Sequence, residues 1–394
     1  MQRRHFLAAT ATLPLAWGSA QLQAAGSGSA RLLFVFLRGG YDAASLLVPV
    51  SSSFYYESRP DIALAKPSAD LASAVSLNAD WGLHPALRES LYPLYQRGEL
   101  AWVPFFGTDD VSRSHFETQD SMEMGQALDG HKDFGSGFLN RLAAVVAGAS
   151  PMAFTDQLST IFQGSARVPN TALKSLNKPQ VDGRQSDIIA SMYRNTAWAQ
   201  PVREGFAVRN DVMRELASEM DAASRNAVSA KGFELEARRI GKLMKDNYNI
   251  GFVDVGGWDT HVGQGAATGY LASRLDELGR GLAALPQELG AAWRDTTVVV
   301  VSEFGRTFRQ NGNRGTDHGH GSVMWVMGGG VRGGRIAGEQ VAVEKATLFQ
   351  DRDFPVLNEY RAVLGGLMQR QFGLSPAQLA VVFPGAKGKD LGLI

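Results

Sequence analysis

Chemistry-bearing residues crowd into the stretch between Gly256 and Gly321. Three clusters stand out there: Gly256-Gly-Trp-Asp-Thr-His261, Ser302-Glu-Phe-Gly-Arg-Thr307 and Thr316-Asp-His-Gly-His-Gly321. They carry three of the chain's seven histidines, His261, His318 and His320. Asp259 and His261 are two apart, so an extended backbone points both side chains to one face, where they could share a cation. Glu303 directly follows an apolar run; an acid held half-desolvated at the end of a buried strand needs a cation or an arginine, and Arg306 is the nearest arginine in sequence. His318 and His320 flank Gly319 and offer two imidazoles among glycines that let backbone approach a ligand. Imidazole with carboxylate suits zinc, manganese or iron, and carboxylate-rich sites also suit magnesium or calcium. Each residue also has a plainer reading: a cap, a turn or a polar loop.

A second group lies earlier. Asp42 ends an apolar run after Gly39-Gly40, as a cation ligand or as a turn-stabilising residue. Ser112-Arg113-Ser114-His115 brings hydroxyls, a guanidinium and an imidazole to the start of an expected helix, where the dipole and free N–H groups favour an anion. Ser112 or Ser114 could be a nucleophile or simply a cap, and Asp110 is a further capping candidate. Arg113 and Arg306 are the candidate anion holders.

The elements that must position these residues follow from patterning. Arg31–Leu37, Ile250–Val255, Thr296–Val301 and Ser322–Met327 are near-continuous apolar runs, the signature of strands covered on both faces. Leu100–Phe106 is another, and Pro104 points to an edge or a strand end. Helical spacing is expected over 84–97, 117–126, 137–147, 232–247 and 270–293, the last kinked near Pro286. Strands alternating with helices imply an α/β fold, a three-layer sandwich around a mostly parallel sheet. Residues of about 165–230, irregular and then helical, read as an insertion or cap.

The 394 residues can bury a large core. Lys plus Arg equals Asp plus Glu at 39 each, which removes any global basic field, and no aromatic-interleaved basic patch suggests nucleic acid. There is no phosphate-binding loop, dinucleotide fingerprint or Gly-x-Ser-x-Gly elbow. Residues 1–25 carry Arg3-Arg4 before an apolar stretch too short to span a bilayer, with the flanks of an export signal. The Arg-Arg-x-Phe-Leu pattern resembles twin-arginine signals. The expectation is a periplasmic or secreted protein with no transmembrane segment after cleavage, its folded domain over 30–394. The absence of cysteine suits an oxidising compartment and excludes thiolate chemistry.

The motifs Leu37-Arg-Gly-Gly-Tyr-Asp42, Ser112-Arg-Ser-His-Phe116, Gly257-Trp-Asp-Thr-His261, Ser302-Glu-Phe-Gly-Arg-Thr307 and Thr316-Asp-His-Gly-His-Gly321 resemble an exported bacterial family, domain of unknown function 1501, over about residues 30–390. That family is similar to the alkaline phosphatase and sulfatase superfamily. The resemblance implies an alkaline-phosphatase-like fold and one or two divalent ions (zinc, manganese, calcium or magnesium) shared by Asp42, Asp259, His261, Glu303, His318 and His320. It implies hydrolysis of a small or polymeric phosphate, sulfate or related anionic ester, with Ser112, Ser114 or a metal-activated water as nucleophile and His115, Arg113 and Arg306 in the catalytic site. One departure matters: Phe304 stands where the superfamily's Ser-Asp-His-Gly has a histidine. It favours a second expectation, a non-catalytic exported protein that keeps the fold with one cation or none and binds a glycan or a protein.

Overall fold

Four consecutive valines, Val298–Val301, are fully buried, and their burial explains why the strand lacks alternation. In the computed structural model, which describes residues 30–130, 132–174, 183–217 and 231–394, they lie in β8 (Thr296–Val301) near the middle of an eight-stranded sheet. Its order is β10 (Arg335–Ile336), β5 (Leu100–Gly107), β9 (Ser322–Met327), β8, β1 (Arg31–Leu37), β7 (Ile250–Val255) and β6 (Pro151–Ala153), with β11 (Asn358–Glu359) also paired to β5. β1 runs parallel to both β7 and β8, and only β9 runs antiparallel to its neighbours β8 and β5. The sheet is mostly parallel, as expected; that β9 is reversed was not readable from its apolarity. A small antiparallel sheet, β2 (Leu47–Pro49), β4 (Trp81–Leu83) and β3 (Val75–Ser76), accompanies it.

Helices cover both faces, so alternate residues of each central strand feed two cores. Leu33, Val35 and Leu37 join Val298 and Val300 in a core with Ile240, Leu275, Leu278 and Leu282 of the Gly232–Asp246 and Tyr270–Leu289 helices. Leu32, Phe34 and Phe36 join Val299 and Val301 on the other side, against Leu139, Leu142, Val363 and Leu364 of the Phe138–Val145 and Tyr360–Phe372 helices. Each valine so covered contributes about 1.5–3 kcal/mol relative to exposure. This is the three-layer α/β arrangement.

Three local expectations change. Strand β5 is interior rather than at an edge: a register shift between Pro104 and Phe106, with Phe105 at φ 54°, accommodates the proline in mid-sheet. Residues 84–97 form a 3₁₀ turn at Pro85–Leu87 and a short helix at Tyr92–Gln96, a break that follows from two prolines. Pro286 lies inside the Tyr270–Leu289 helix, which passes into a 3₁₀ segment at Gly290–Asp295. Within 165–230, the Gly183–Met192 and Ala199–Glu215 helices are described. The expected signal sequence, residues 1–25, lies outside the described residues.

Candidate metal centre

The parallel trio β7, β1 and β8 delivers three loops to one end of the sheet: Gly256–His261, Arg38–Asp42 and Ser302–Thr307. Contact between the first two requires glycine. Gly39 has φ 126°, and a Cβ there would sit 2.7 Å from the Asp259 backbone nitrogen and 3.0 Å from that of Trp258. Trp258 pins its loop from below, fully buried, its indole donating to Val255 O at 2.8 Å. The Thr316–Gly321 segment folds back on Phe304–Thr307, with Gly305 N donating to His320 O and Gly319 N to Gly305 O. Gly319 is also obligatory, since a Cβ would fall 2.4 Å from the Arg306 carbonyl carbon.

Three imidazoles converge on the Asp259 carboxylate. His261 Nε2 is 3.0 Å and His318 Nε2 3.2 Å from Oδ1, and His115 Nε2 is 3.5 Å from Oδ2. In every case Nδ1 faces an atom that can only accept. His115 Nδ1 meets Glu303 Oε1 at 2.7 Å, His261 Nδ1 meets Asp317 Oδ1 at 3.1 Å, and His318 Nδ1 meets the Arg113 carbonyl at 2.9 Å. Nδ1 must therefore carry the proton, which leaves the Nε2 lone pairs turned inward. Outer carboxylates or carbonyls that orient histidines this way are the usual second layer of a metal site. His115 Nε2 is buried without a hydrogen-bond partner, and the His261 and His318 Nε2 atoms face each other at 3.1 Å. Inward-facing acceptors at such distances need a proton or a cation among them. Among the described residues, His115, Asp259 and His318 form a group able to hold a metal ion, their ligand atoms within 4.8 Å of one another.

The surroundings hold this cluster in place. Arg306, buried, donates to Asp259 Oδ1 at 2.5 Å, to Thr316 Oγ1 and to the Thr316 carbonyl. Burial raises the Asp259 carboxyl, but the Arg306 hydrogen bond and charge outweigh it, with help from His261 and His318, and hold it below the usual range. For His115 the Glu303 hydrogen bond is the largest influence, and it raises the imidazole despite partial burial. His318 is lowered, chiefly by burial. Phe304 lies beneath the rings, its centroid 4.9 Å from that of His115 and 5.2 Å from that of His318.

Several residues expected at the metal are elsewhere. Asp42 is 1% exposed and saturated: Arg59 clamps it through Nη1 at 2.6 Å and Nη2 at 3.0 Å, and Gln264 and Ser45 also donate to it. A guanidinium thus neutralises it where a metal was expected. His320 packs its ring on Phe349 at 4.7 Å and is not part of the ligand group. Glu303 is not free to ligate: Gly39 N, Gln119 Nε2 and His115 donate to Oε1 and Ser302 Oγ to Oε2. Burial raises its carboxyl, but those bonds bring it below the usual value. It acts through His115. The Arg113 guanidinium turns away to Asp353 and Gln350, so neither Arg113 nor Arg306 is available to an anion.

His115, expected in the catalytic group, instead stands in the group able to hold a metal ion. Ser114 is the N-cap of the His115–Met124 helix, yet its hydroxyl makes no cap hydrogen bond, whereas Ser112 Oγ accepts from Ser114 N at 3.3 Å. Sequence reasoning assigned no role to Gln119 or Asp317. Gln119 was findable, since it lies four residues after His115 on the same helix face; Asp317 directly precedes His318.

A family model described as "Protein of unknown function (DUF1501)" matches residues 29–383. The chain belongs to this family. No curated protein matches it. Among solved structures, it is similar to a protein of the alkaline phosphatase superfamily from Vibrio parahaemolyticus, at 10% identity and TM-score 0.39, covering 93% of this chain and 70% of that one. The lipoteichoic acid synthase LtaP from Listeria monocytogenes follows at 8% identity and TM-score 0.37, covering 93% and 76%. A structure of Ps i-CgsB in complex with k-i-k-neocarrahexaose gives 8% identity and TM-score 0.38, covering 92% and 75%. Scores at this level do not specify an activity.

Proposed function

We propose that this DUF1501 protein is a metal-dependent hydrolase of phosphate, sulfate or related anionic esters, built on one divalent ion held by His115, Asp259 and His318 with His261 beside them. The observation that carries this reading is the buried, unpartnered Nε2 of His115 facing an acidic group and a second imidazole. A donor set with this much imidazole fits zinc or manganese better than calcium or magnesium. When bound, such an ion supplies Lewis-acid polarisation of an ester oxygen.

The chain's own residues have distinct tasks. Glu303, Asp317 and the Arg113 carbonyl hold Nδ1 protons and so keep the inner nitrogens basic. Arg306 fixes Asp259. With both nearby guanidiniums committed, the substrate anion depends on the metal and on the start of the His115–Met124 helix. Ser112 Oγ is engaged with Thr118 Oγ1 and Ser114 N, whereas the Ser114 hydroxyl makes no cap hydrogen bond; Ser114 is therefore the serine candidate for attack, water being the other nucleophile. No helix among the described residues is long and apolar enough to cross a membrane, and we assign the protein to the periplasm or the exterior on its twin-arginine-like start.

The test is metal analysis of the purified protein, then aryl phosphate and aryl sulfate hydrolysis with zinc, manganese or calcium supplied. Bound metal and turnover lost in His115→Ala are expected. Stoichiometric metal without turnover on any ester would favour the binding-protein reading, to which the saturated Asp42 lends support.

A further inference from the structure

Next to the metal cluster lies a cavity of about 420 Å³ whose wall includes Phe116 and Gln119. The two features share a helix: Phe116 directly follows His115, and Gln119 donates to the same Glu303 oxygen that accepts from His115. Phe116 is 85% exposed, so its ring is open to a ligand seated in the cavity. The cavity's charge is one-sided. Asp120, Glu123, Asp156 and Asp254 line it against a single cation, Arg38. Arg38 is already spent, with Nε on Asp254 at 2.5 Å and Nη2 on Glu123 at 2.8 Å. Asp120 and Asp156 have no ion-pair partner among the described residues.

A further acid feels this field from inside the fold. Glu236 is buried, its Oε2 makes no hydrogen bond, and Lys174 approaches it only to 3.7 Å. Asp254 and Asp156 both act on it electrostatically. The cavity wall thus repels the anionic half of an ester, which belongs at the metal, and attracts a cation. An exposed ring beside unneutralised carboxylates is a suitable surface for an ammonium group.

We propose that this cavity seats a positively charged ammonium group on the alcohol side of the substrate, so that the enzyme acts on zwitterionic esters in which an amine-bearing alcohol carries the phosphate or sulfate. The ester part rests on the hydrolase reading; the cation seat does not. Asp120 and Asp156 attract the ammonium, Phe116 offers its face, and the neighbouring metal receives the anion.

Binding is measured first, by titration calorimetry of the full metal-loaded chain with choline and with its uncharged isostere 3,3-dimethylbutanol. Choline is expected to bind about tenfold more tightly, and the preference should vanish in the double variant Asp120→Asn/Asp156→Asn, with circular dichroism unchanged. Equal affinities, no choline binding, or a preference that survives the double substitution would overturn the assignment. Hydrolysis of choline phosphate against 3,3-dimethylbutyl phosphate is measured second. A kcat/KM advantage for choline phosphate supports the zwitterionic substrate, and equal rates overturn it. If neither ester is cleaved while choline binding behaves as stated, the hydrolase reading fails and the cation seat stands. Phosphatidylcholine vesicles run alongside tell a lipid headgroup from a free ester.

Discussion

Replacing Asp42 by Asn separates two accounts of this residue. As a metal ligand, it would take bound metal with it. As the partner of Arg59, it would take stability instead. Arg59 is fully buried, with Nη1 and Nη2 on the Asp42 carboxylate at 2.6 and 3.0 Å, Nη2 also on the Thr307 carbonyl and Nε on the Phe308 carbonyl. Burial lowers its pKa and Asp42 raises it, yet a guanidinium is too basic to lose its proton in a protein, so Arg59 stays charged when the carboxylate goes. Stranding one member of a buried pair costs about 3–5 kcal/mol. With an unfolding entropy near 2.1 cal/mol/K per residue, that loss lowers Tm by roughly 4–6 °C in a chain of this size. Differential scanning calorimetry and metal analysis on the same preparation decide the matter. A lower Tm at unchanged metal content is expected; an unchanged Tm with lost metal would refute the ion-pair account.

Other substitutions probe the remaining links. Glu303→Gln leaves His115 without its carboxylate and should weaken metal affinity about 10–100-fold, measured by competition with a chromophoric chelator; unchanged affinity would deny Glu303 its positioning role. Gly39→Ala forces a Cβ to within 2.7 Å of the Asp259 nitrogen at a positive φ, and both Tm and metal content should fall. Glu236 gives a pH dependence. Its carboxyl is pushed from 4.5 to about 7, first by burial and then by Asp254 and Asp156 against the pull of Lys174. A raised acid keeps its proton longer folded than unfolded, so stability falls as pH rises between those values, by roughly 3 kcal/mol in all. Glu236→Gln should therefore flatten denaturant-measured stability between pH 4.5 and 7; a slope as steep as that of the parent would contradict this.

Much of the fold was legible because its central strands are buried on both faces: Leu32–Leu37 and Val298–Val301 read as strands without ambiguity. The interior place of Leu100–Gly107 was not, because the bulge that tolerates Pro104 has no composition signal. At the site, Asp259, His261 and His318 were legible as ligand types following strands or flanked by glycines. Asp42 misled because its partner, Arg59, comes from a different loop and nothing local announces the pairing. Glu303 was correctly marked as an acid needing a partner, but the partners are His115 and Gln119, long-range contacts made by a helix. His320 shares a motif with His318, yet a neighbouring phenylalanine takes its ring.

The most direct test of the central claim is the metal content of the exhaustively dialysed protein, compared with His115→Ala and His318→Ala. About one divalent ion per chain is expected, strongly reduced in both variants while each stays folded. No retained metal after incubation with zinc, manganese or calcium, or full metal content in both variants, would contradict it.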